Sequence, residues 1–276
     1  MLQFKIDKAK CIKCKKCIQD CPMSVIDLVD HYPAIYEDKE ETCLKCQHCL
    51  AICPTGALSI LDKNPEDSVS LTSNMLPEYH EMALLIKGRR SIRQYKDENI
   101  NSKTITDLIN TAFYAPTGVN AMKTLFTVID NKTTMHKFRD AAMLEIRKTI
   151  DNDKLPDNLK FFEGIVKKWE EKHQDIIFRN APHMIIVSTK KTCPTPMEDA
   201  VIALCNFELL AQCAGIGTLW NGMAKWTLNY LTPNLKKLLN LPEDHSIGFI
   251  MIFGKPAVKY YRTVQKNNPN INIVKI

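Results

Sequence analysis

Apolar and polar residues after residue 79 follow the periods of helices and of buried strands. Helical spacing begins at Tyr79 and stops at Gly88, and a second amphipathic segment, capped by Asn101 or Ser102, stops at a Pro-Thr-Gly sequence. Further helical stretches cover 132–150, 157–178 and 197–214. Apolar runs predict buried strands at 125–130, 184–189 and 247–254. This mixture predicts an α+β domain in which one sheet is flanked by helices.

The first sixty residues instead contain an internal repeat of cysteines. The segment CIKCKKCIQDCP at 11–22 returns as CLKCQHCLAICP at 43–54, displaced by 32 residues with every cysteine and the final proline in register. Each copy has the spacing C-x2-C-x2-C-x3-C-P, which is the spacing that binds [4Fe-4S] clusters in bacterial ferredoxins. Three cysteines on one tight loop can direct thiolates at three corners of a cubane, so the fourth thiolate must come from elsewhere.

In this arrangement the fourth cysteine of each copy ligates the other cluster. The two predicted ligand sets are therefore Cys11, Cys14, Cys17 and Cys53 for one cluster, and Cys43, Cys46, Cys49 and Cys21 for the other. A pair of zinc sites is the alternative interpretation. Tetrahedral zinc favours two separated C-x2-C pairs, however, and the triple spacing used twice would leave thiolates without a metal.

The N-terminal segment at 1–62 resembles the bacterial-type 2[4Fe-4S] ferredoxins, with the apolar stretches FKI, VIDLV and ALSIL as its small strands. The resemblance implies a small ferredoxin-like two-cluster domain that carries single electrons at low potential. Residues 63–78 contain two prolines and many small polar residues, and we interpret them as a linker. A second, larger domain is then expected at 79–276.

Composition and charge narrow the classes of partner. The chain has 276 residues, of which 45% are hydrophobic and 25% charged, as is typical of globular proteins. The segment 1–62 has a net charge of −1 and the remainder one of +7, spread without a basic stripe, so nucleic-acid binding is not expected.

The charged N-terminus and the lack of any apolar run of about 18 residues predict neither export nor membrane insertion. We therefore expect a cytoplasmic protein, whose eleven cysteines would not form a disulfide framework.

The larger domain lacks the G-x-G-x-x-G, P-loop, H-E-x-x-H and G-x-S-x-G motifs. It contains three others, which are RRSIR at 89–93, APTGVN at 115–120 and GIGTLW at 215–220. The first motif alone would also fit a basic helix end. In this order and with these separations, the three resemble the nitroreductase family of FMN enzymes across residues 79–265. The resemblance implies a three-layer domain of sheet and helices with FMN as its cofactor.

The resemblance also assigns the first motif a role in FMN binding. Arg89 and Ser91 would contact the phosphate or the ribityl chain, since the planar guanidinium fork of arginine suits that anion. Arg90 would either assist them or face solvent. Arg93 would lie near N1 and O2 of the flavin, where a cation stabilises the reduced form.

The remaining FMN contacts come from three other segments. Asn120, which follows Pro116 and Thr117 in the second motif, would offer an amide donor and acceptor to the pyrimidine edge. Backbone amides of Gly217 and Thr218 would lie near flavin N5, with glycine permitting close approach. A basic residue of the C-terminal segment would reach the phosphate, and the candidates are Arg262 first and Lys259 second.

Several features lie outside these motifs. Ala121-Met122-Lys123 follows Asn120, where many family members have Gln-Pro-Trp, so the substrate pocket is expected to differ. The helical insert at 157–178 carries three aromatic residues whose spacing favours core or dimer contacts over a substrate lid, namely Phe161, Phe162 and Trp169.

Cys205 and Cys213 lie in an apolar helical stretch and are expected to be buried. Cys193 lies in a loop, and the seven histidines show no metal-ligand spacing, so ordinary surface or core positions are expected for them.

Together these resemblances predict a flavin-dependent oxidoreductase that transfers electrons between two [4Fe-4S] clusters, FMN and a small acceptor such as a nitro compound or quinone. The electron donor would be NAD(P)H or a ferredoxin. A homodimer is implied because the flavin site of this family is built from both chains. No side chain is assigned as a catalytic acid or base, since the flavin supplies the chemistry. The alternatives are a non-catalytic electron-transfer or redox-sensing protein, and an enzyme of the same fold that dehalogenates its substrate or fragments flavin.

Overall fold

The structure is a computed structural model that describes residues 1–71 and 75–276. It divides into two compact units, of which the first comprises 1–77 together with 119–121 and the second comprises 78–118 and 122–276. Residues 72–74, which belong to the predicted linker, lie outside the described residues. None of the described helices combines the length and the apolar character needed to cross a membrane.

The first unit is built from short elements around the cysteine repeat. Its strands form two antiparallel pairs, β1 with β4 and β2 with β3, and its two helices are one turn each. The core contains Leu2, Val25, Ile26, Leu50, Leu58 and Ile60. The bounds are β1 Lys5–Ile6, α1 Lys16–Gln19, β2 Ile26–Val29, β3 Tyr32–Ile35, α2 His48–Ala51 and β4 Leu58–Ser59. Three of these strands are those that the apolar stretches predict, while β3 is not predicted.

The second unit has one antiparallel sheet of four strands in the order β5-β6-β8-β7. The strands are β5 Thr124–Ile129, β6 His183–Lys190, β7 Gly217–Trp220 and β8 His245–Gly254. The helices are α3 Tyr79–Gly88, α4 Ser102–Ala112, α5 Lys132–Asp151, α6 Phe162–Lys172, α7 Pro196–Cys213, α8 Gly222–Trp226 and α9 Pro233–Leu238. A single π-helical turn, Thr227–Leu231, joins α8 to α9.

Both faces of this sheet are covered, because alternate residues of its central strands point to opposite sides. Met184 and Ile186 of β6 belong to the core formed with α5 and α6, whereas Ile185 and Val187 belong to the core formed with α4 and α7. The predicted α+β domain of three layers is therefore confirmed.

Two predictions about elements need correction. The helix predicted over 157–178 is shorter, since α6 ends where His173 takes a left-handed conformation with φ 50°. Its aromatics do lie in or against the core, with Phe162 fully buried and Trp169 packed beside it. Cys205 and Cys213 are exposed rather than buried, because the apolar residues of α7 that face the sheet lie on its other side.

Candidate functional site

The cysteine repeat is also a repeat of backbone conformation. Left-handed residues recur at the same displacement of 32 residues, as the pairs Lys13 and Lys45, Lys15 and Gln47, Ser24 and Gly56, and Asp30 and Asp62. Left-handed residues thus lie on both sides of the second cysteine in each copy. Such residues turn backbone N–H groups toward a common side, as at many iron-sulfur sites.

The eight repeated cysteines line two separate cavities. The lining of one cavity includes Cys11, Cys14, Cys17 and Cys53. The lining of the other includes Cys21, Cys43, Cys46 and Cys49. The fourth cysteine of each copy therefore lies with the first three of the other copy, as the ferredoxin spacing predicts.

The donor set and its spacing fit a cluster better than a single ion. Across residues 1–71 and 75–276, no three His, Cys, Asp or Glu side chains converge closely enough to hold one metal ion. Four thiols around one cavity are instead what a cubane requires, since each thiolate binds a different iron. Backbone amides already donate to sulfur at 3.4 Å from Lys45 to Cys43 and at 3.3 Å from Ala57 to Cys53.

Burial controls the protonation of these thiols. It raises the pKa of Cys49 to about 12 and also raises the pKa of Cys17. Burial also acts to raise the pKa of Cys53, but hydrogen bonds from the backbone of Ala57 and from Thr55 lower it overall. The buried thiols of Cys17 and Cys49 therefore keep their protons at neutral pH until a metal displaces them.

In the second unit, the first motif lies alongside the third. Ser91 forms a parallel bridge with Thr218, and the Ile92 N–H donates to the Thr218 carbonyl at 2.9 Å. The hydroxyl of Tyr95 donates to the Ile92 carbonyl at 2.7 Å and secures the same segment. The exposed Arg93 donates to the Ser91 carbonyl at 3.4 Å. Two predicted flavin-binding motifs are thus brought together by backbone pairing.

A buried carboxylate that the sequence analysis missed joins these two motifs. Glu208 of α7 accepts from Arg89 Nη1 at 3.0 Å, from the Thr218 hydroxyl at 3.3 Å and from Trp220 Nε1 at 3.0 Å. Its side chain is only 7% exposed. The sequence did contain one indication of this site, since Glu208 is an acidic residue within an otherwise apolar helical run. A buried carboxylate requires a cation or several donors, so such a residue predicts polar partners elsewhere in the chain.

Part of the C-terminal segment also lies near the first motif. The Arg90 guanidinium is 6.0 Å from the centre of the Tyr260 ring. Arg262 and Lys259, the two candidates for the phosphate, flank this tyrosine and are exposed.

Gly217 packs closely against the first motif. A Cβ atom at this position would lie 2.5 Å from Ile92 Cγ1 and 2.9 Å from Ile92 Cβ. Close packing with Ile92 therefore requires glycine here, independently of the predicted approach to the flavin.

The second motif is held by a second buried carboxylate. The Gly118 N–H and the Thr195 hydroxyl both donate to Asp199 Oδ1, at 3.0 and 2.8 Å. The Thr117 hydroxyl accepts from the Met122 N–H at 3.0 Å, while Pro116 is exposed.

The end of this motif has an unusual backbone. Val119, Asn120 and Met122 have positive φ angles of 48°, 53° and 48°. Such a conformation is strained for a β-branched residue like Val119 and is found mainly where function requires it. Within the first unit, the Asn120 amide donates to the Leu44 carbonyl at 2.9 Å.

Comparisons with known proteins agree with both units. A model of the nitroreductase family matches residues 86–255, and a model of the 4Fe-4S dicluster domain matches residues 10–57. A "Putative NADH dehydrogenase/NAD(P)H nitroreductase" of Methanothermobacter thermautotrophicus is 28% identical over 177 residues, or 62% of this chain and 75% of that protein. An iodotyrosine deiodinase of Thermotoga neapolitana is 22% identical over 179 residues, or 62% of this chain and 87% of that protein.

Solved structures show the same fold. The crystal structure of a nitroreductase with bound FMN from Bacteroides fragilis superimposes with a TM-score of 0.57 at 21% identity, covering 71% of this chain and 99% of that one. The chain belongs to the nitroreductase family. It is an oxidoreductase of that family with an N-terminal 4Fe-4S dicluster domain.

Proposed function

We propose that the protein is an FMN-dependent oxidoreductase that exchanges electrons between two [4Fe-4S] clusters, FMN and a small organic acceptor. The observation that carries the proposal is the pair of cavities, each lined by four cysteines drawn from both copies of the repeat. Two cavities with equivalent donor sets favour two clusters over one. When bound, clusters of this type transfer single electrons and FMN accepts two, so their combination allows conversion between the two.

The proposed cluster ligands are the cysteines of these cavities. One set is Cys11, Cys14, Cys17 and Cys53, and the other is Cys21, Cys43, Cys46 and Cys49. The amides that already donate to Cys43 and Cys53 would stabilise a negatively charged cluster, since hydrogen bonds to sulfur raise its reduction potential.

The proposed FMN site uses the cations and backbone groups near β7. Arg89, with Ser91 beside it, would bind the phosphate, because Glu208 fixes one edge of its guanidinium and leaves other N–H groups free. Arg93 would lie near the flavin ring. The other proposed contacts are Arg90, Pro116, Thr117, Asn120, Gly217, Thr218 and Arg262.

We also propose that the active form is a homodimer. Tyr79, Met82 and Ile86 of α3 are 87%, 39% and 54% exposed, and their spacings of three and four residues place them on one face of the helix. Monomeric proteins rarely expose contiguous apolar surface of this kind. A second copy of the chain would cover it.

The proposed acceptor is a nitro compound or a quinone, with NAD(P)H or a ferredoxin as the donor. The NAD(P)H nitroreductase among the relatives supports this choice. Reductive dehalogenation of an aromatic substrate is the second candidate, since iodotyrosine deiodinases from three organisms are also among the relatives.

The test begins with protein purified without oxygen. We expect about eight iron and eight sulfide per chain, together with FMN. Cys53→Ser should lose about half of the iron, whereas Cys193→Ser, which alters a cysteine outside both cavities, should retain all of it. A colourless, folded protein would overturn the proposal.

The activity is tested by rapid mixing with NADH, NADPH and reduced ferredoxin in turn. Multiple turnovers of a nitroaromatic or a quinone that depend on FMN would support the first candidate. Preferential release of iodide from an iodophenol would support the second. Rapid reduction without turnover of any acceptor would instead show an electron carrier or redox sensor.

A further inference from the structure

A cavity in the second unit is lined by none of the residues of the predicted flavin motifs. It has a volume of about 490 Å³, within the range of small-molecule sites, and it adjoins the end of β6 and the first residues of β8. Along β8, the cavity residue Ile247 is six positions from Phe253, which pairs with Thr218. At about 3.3 Å per residue, about 20 Å of strand lies between Ile247 and Phe253.

Four lysines give this cavity its charge, and we call it the lysine cavity. They are Lys191, Lys225, Lys236 and Lys237. Across the described ranges 1–71 and 75–276, none of the four lies within 4.0 Å of a carboxylate oxygen. The acidic residue in the lining, Glu243, meets Lys191 through its backbone carbonyl at 2.8 Å. The cavity therefore holds several positive charges that the protein itself does not neutralise.

Two of these lysines are partly withdrawn from water. Burial lowers the pKa of Lys225, whose ammonium donates to the Gly248 carbonyl at 2.7 Å. Burial, together with the charge of Lys191, lowers the pKa of Lys236. Bringing like charges together in a partly dry cavity is unfavourable, and a bound anion would relieve it.

The rest of the lining is suited to an organic group. Met197, Leu241 and Ile247 supply an apolar wall. The buried hydroxyl of Ser188 lies 3.1 Å from His245 Nδ1, and these two side chains add polar groups to the same lining. A lining that combines cationic and apolar side chains suits a ligand with an anionic group attached to an organic body.

The number of cations favours a multiply charged anion. Lysine acts as a mobile point charge and is a common ligand of phosphate. Four ammonium groups around one volume exceed what a single negative charge would need. We propose that the lysine cavity binds a small organic phosphate that carries at least two negative charges.

Isothermal titration calorimetry tests this with the full chain loaded with iron, sulfide and FMN, so that any flavin phosphate site is already filled. The probes are ADP, pyrophosphate and adenosine. We expect ADP to bind more tightly than pyrophosphate, adenosine to give no measurable heat, and added salt to weaken the binding of ADP.

Two single substitutions locate the site. Lys236→Gln and Lys237→Gln should each weaken ADP binding about tenfold, because each removes one charge-assisted hydrogen bond. Lys137→Gln, which changes an exposed lysine of α5, is the matched control and should bind ADP as the unaltered protein does. Lys237 is itself exposed, so its substitution should not disturb folding, and circular dichroism checks this.

The proposal is overturned if ADP gives no heat at millimolar concentration, if adenosine binds as tightly as ADP, or if both lysine variants bind ADP unchanged. Because Lys236 and Lys237 belong to none of the predicted flavin motifs, the effect of their substitution on ADP binding can be distinguished from the outcome of the iron and FMN measurements.

Discussion

Glu208 and Asp199 are the two side chains that organise the predicted flavin motifs, and neither belongs to a motif. Glu208 joins Arg89 to β7, and Asp199 fixes the backbone of Gly118. Both carboxylates are buried and both lie on α7. Buried carboxylates with several donors hold their partners firmly, because any displacement would leave a charge without compensation.

Substitution of Glu208 should therefore weaken the second unit. We expect Glu208→Gln to lower the free energy of unfolding by about 2 kcal/mol, since it removes the buried charge that pairs with Arg89 and loses part of the hydrogen bonding. Urea denaturation followed by tryptophan fluorescence measures this, because all three tryptophans lie in the second unit. Glu198→Gln, at an exposed position of the same helix, should change the value by less than about 0.5 kcal/mol. Equal effects of the two substitutions would contradict this role.

At the scale of residues, the sequence could indicate the cysteines but not these carboxylates. The cysteines have a fixed spacing that follows from the geometry of a cubane. Glu208 is 119 positions from Arg89, and Asp199 is 81 positions from Gly118. Partners so distant in sequence are brought together only by the packing of α7 against the sheet. Which cavity each cysteine lines was nevertheless predictable, because the exchange of the fourth cysteine is part of the spacing.

At the scale of elements, strands with a clear apolar run were predicted, whereas β3 and β7 were not. The predicted strands at 125–130, 184–189 and 247–254 agree closely with β5, β6 and β8. Strand β7 has only four residues and begins with a glycine, so its pattern is too short to indicate a strand. In the insert that contains α6, the helical spacing of apolar residues continues in the sequence beyond His173. The helix nevertheless ends there, because His173 takes a left-handed conformation.

The contact between β7 and the first motif can be tested by a pair of substitutions. Gly217→Ala should push Ile92 away and break its hydrogen bond to Thr218, so we expect FMN to bind at least about tenfold more weakly. The double variant Gly217→Ala with Ile92→Gly should recover part of the affinity, because removal of the whole Ile92 side chain makes room for the added methyl group. Fluorescence titration with FMN gives both values. No recovery in the double variant would show that another contact of Gly217 matters.

At the scale of the whole molecule, the order of the motifs indicated the family before any packing was known. Family membership then accounts for the fold of the second unit. The exposed apolar residues of α3 lie outside the three motifs, and their exposure became evident only from the packing of the unit.

The proposed homodimer predicts a specific effect of charge on this surface. Ile86→Lys should convert the protein from dimer to monomer in sedimentation velocity, because a charge would be buried without a partner in the interface. FMN should also be lost on gel filtration, if its site needs both chains. Leu144→Lys, at a 58% exposed leucine of α5, should leave the dimer and the flavin unchanged. A dimer that persists in Ile86→Lys would place the interface elsewhere.

The exchange of Cys21 and Cys53 between the two cavities has a consequence for how the N-terminal unit could have arisen and how it can be divided. Duplication of a segment usually produces two modules, either of which can survive alone. Here, cutting the chain between the copies would leave each half with three cysteines of one cavity and one of the other. Neither half would therefore be a smaller ferredoxin. Both copies of the repeat must be present for either cavity to have all four of its cysteines.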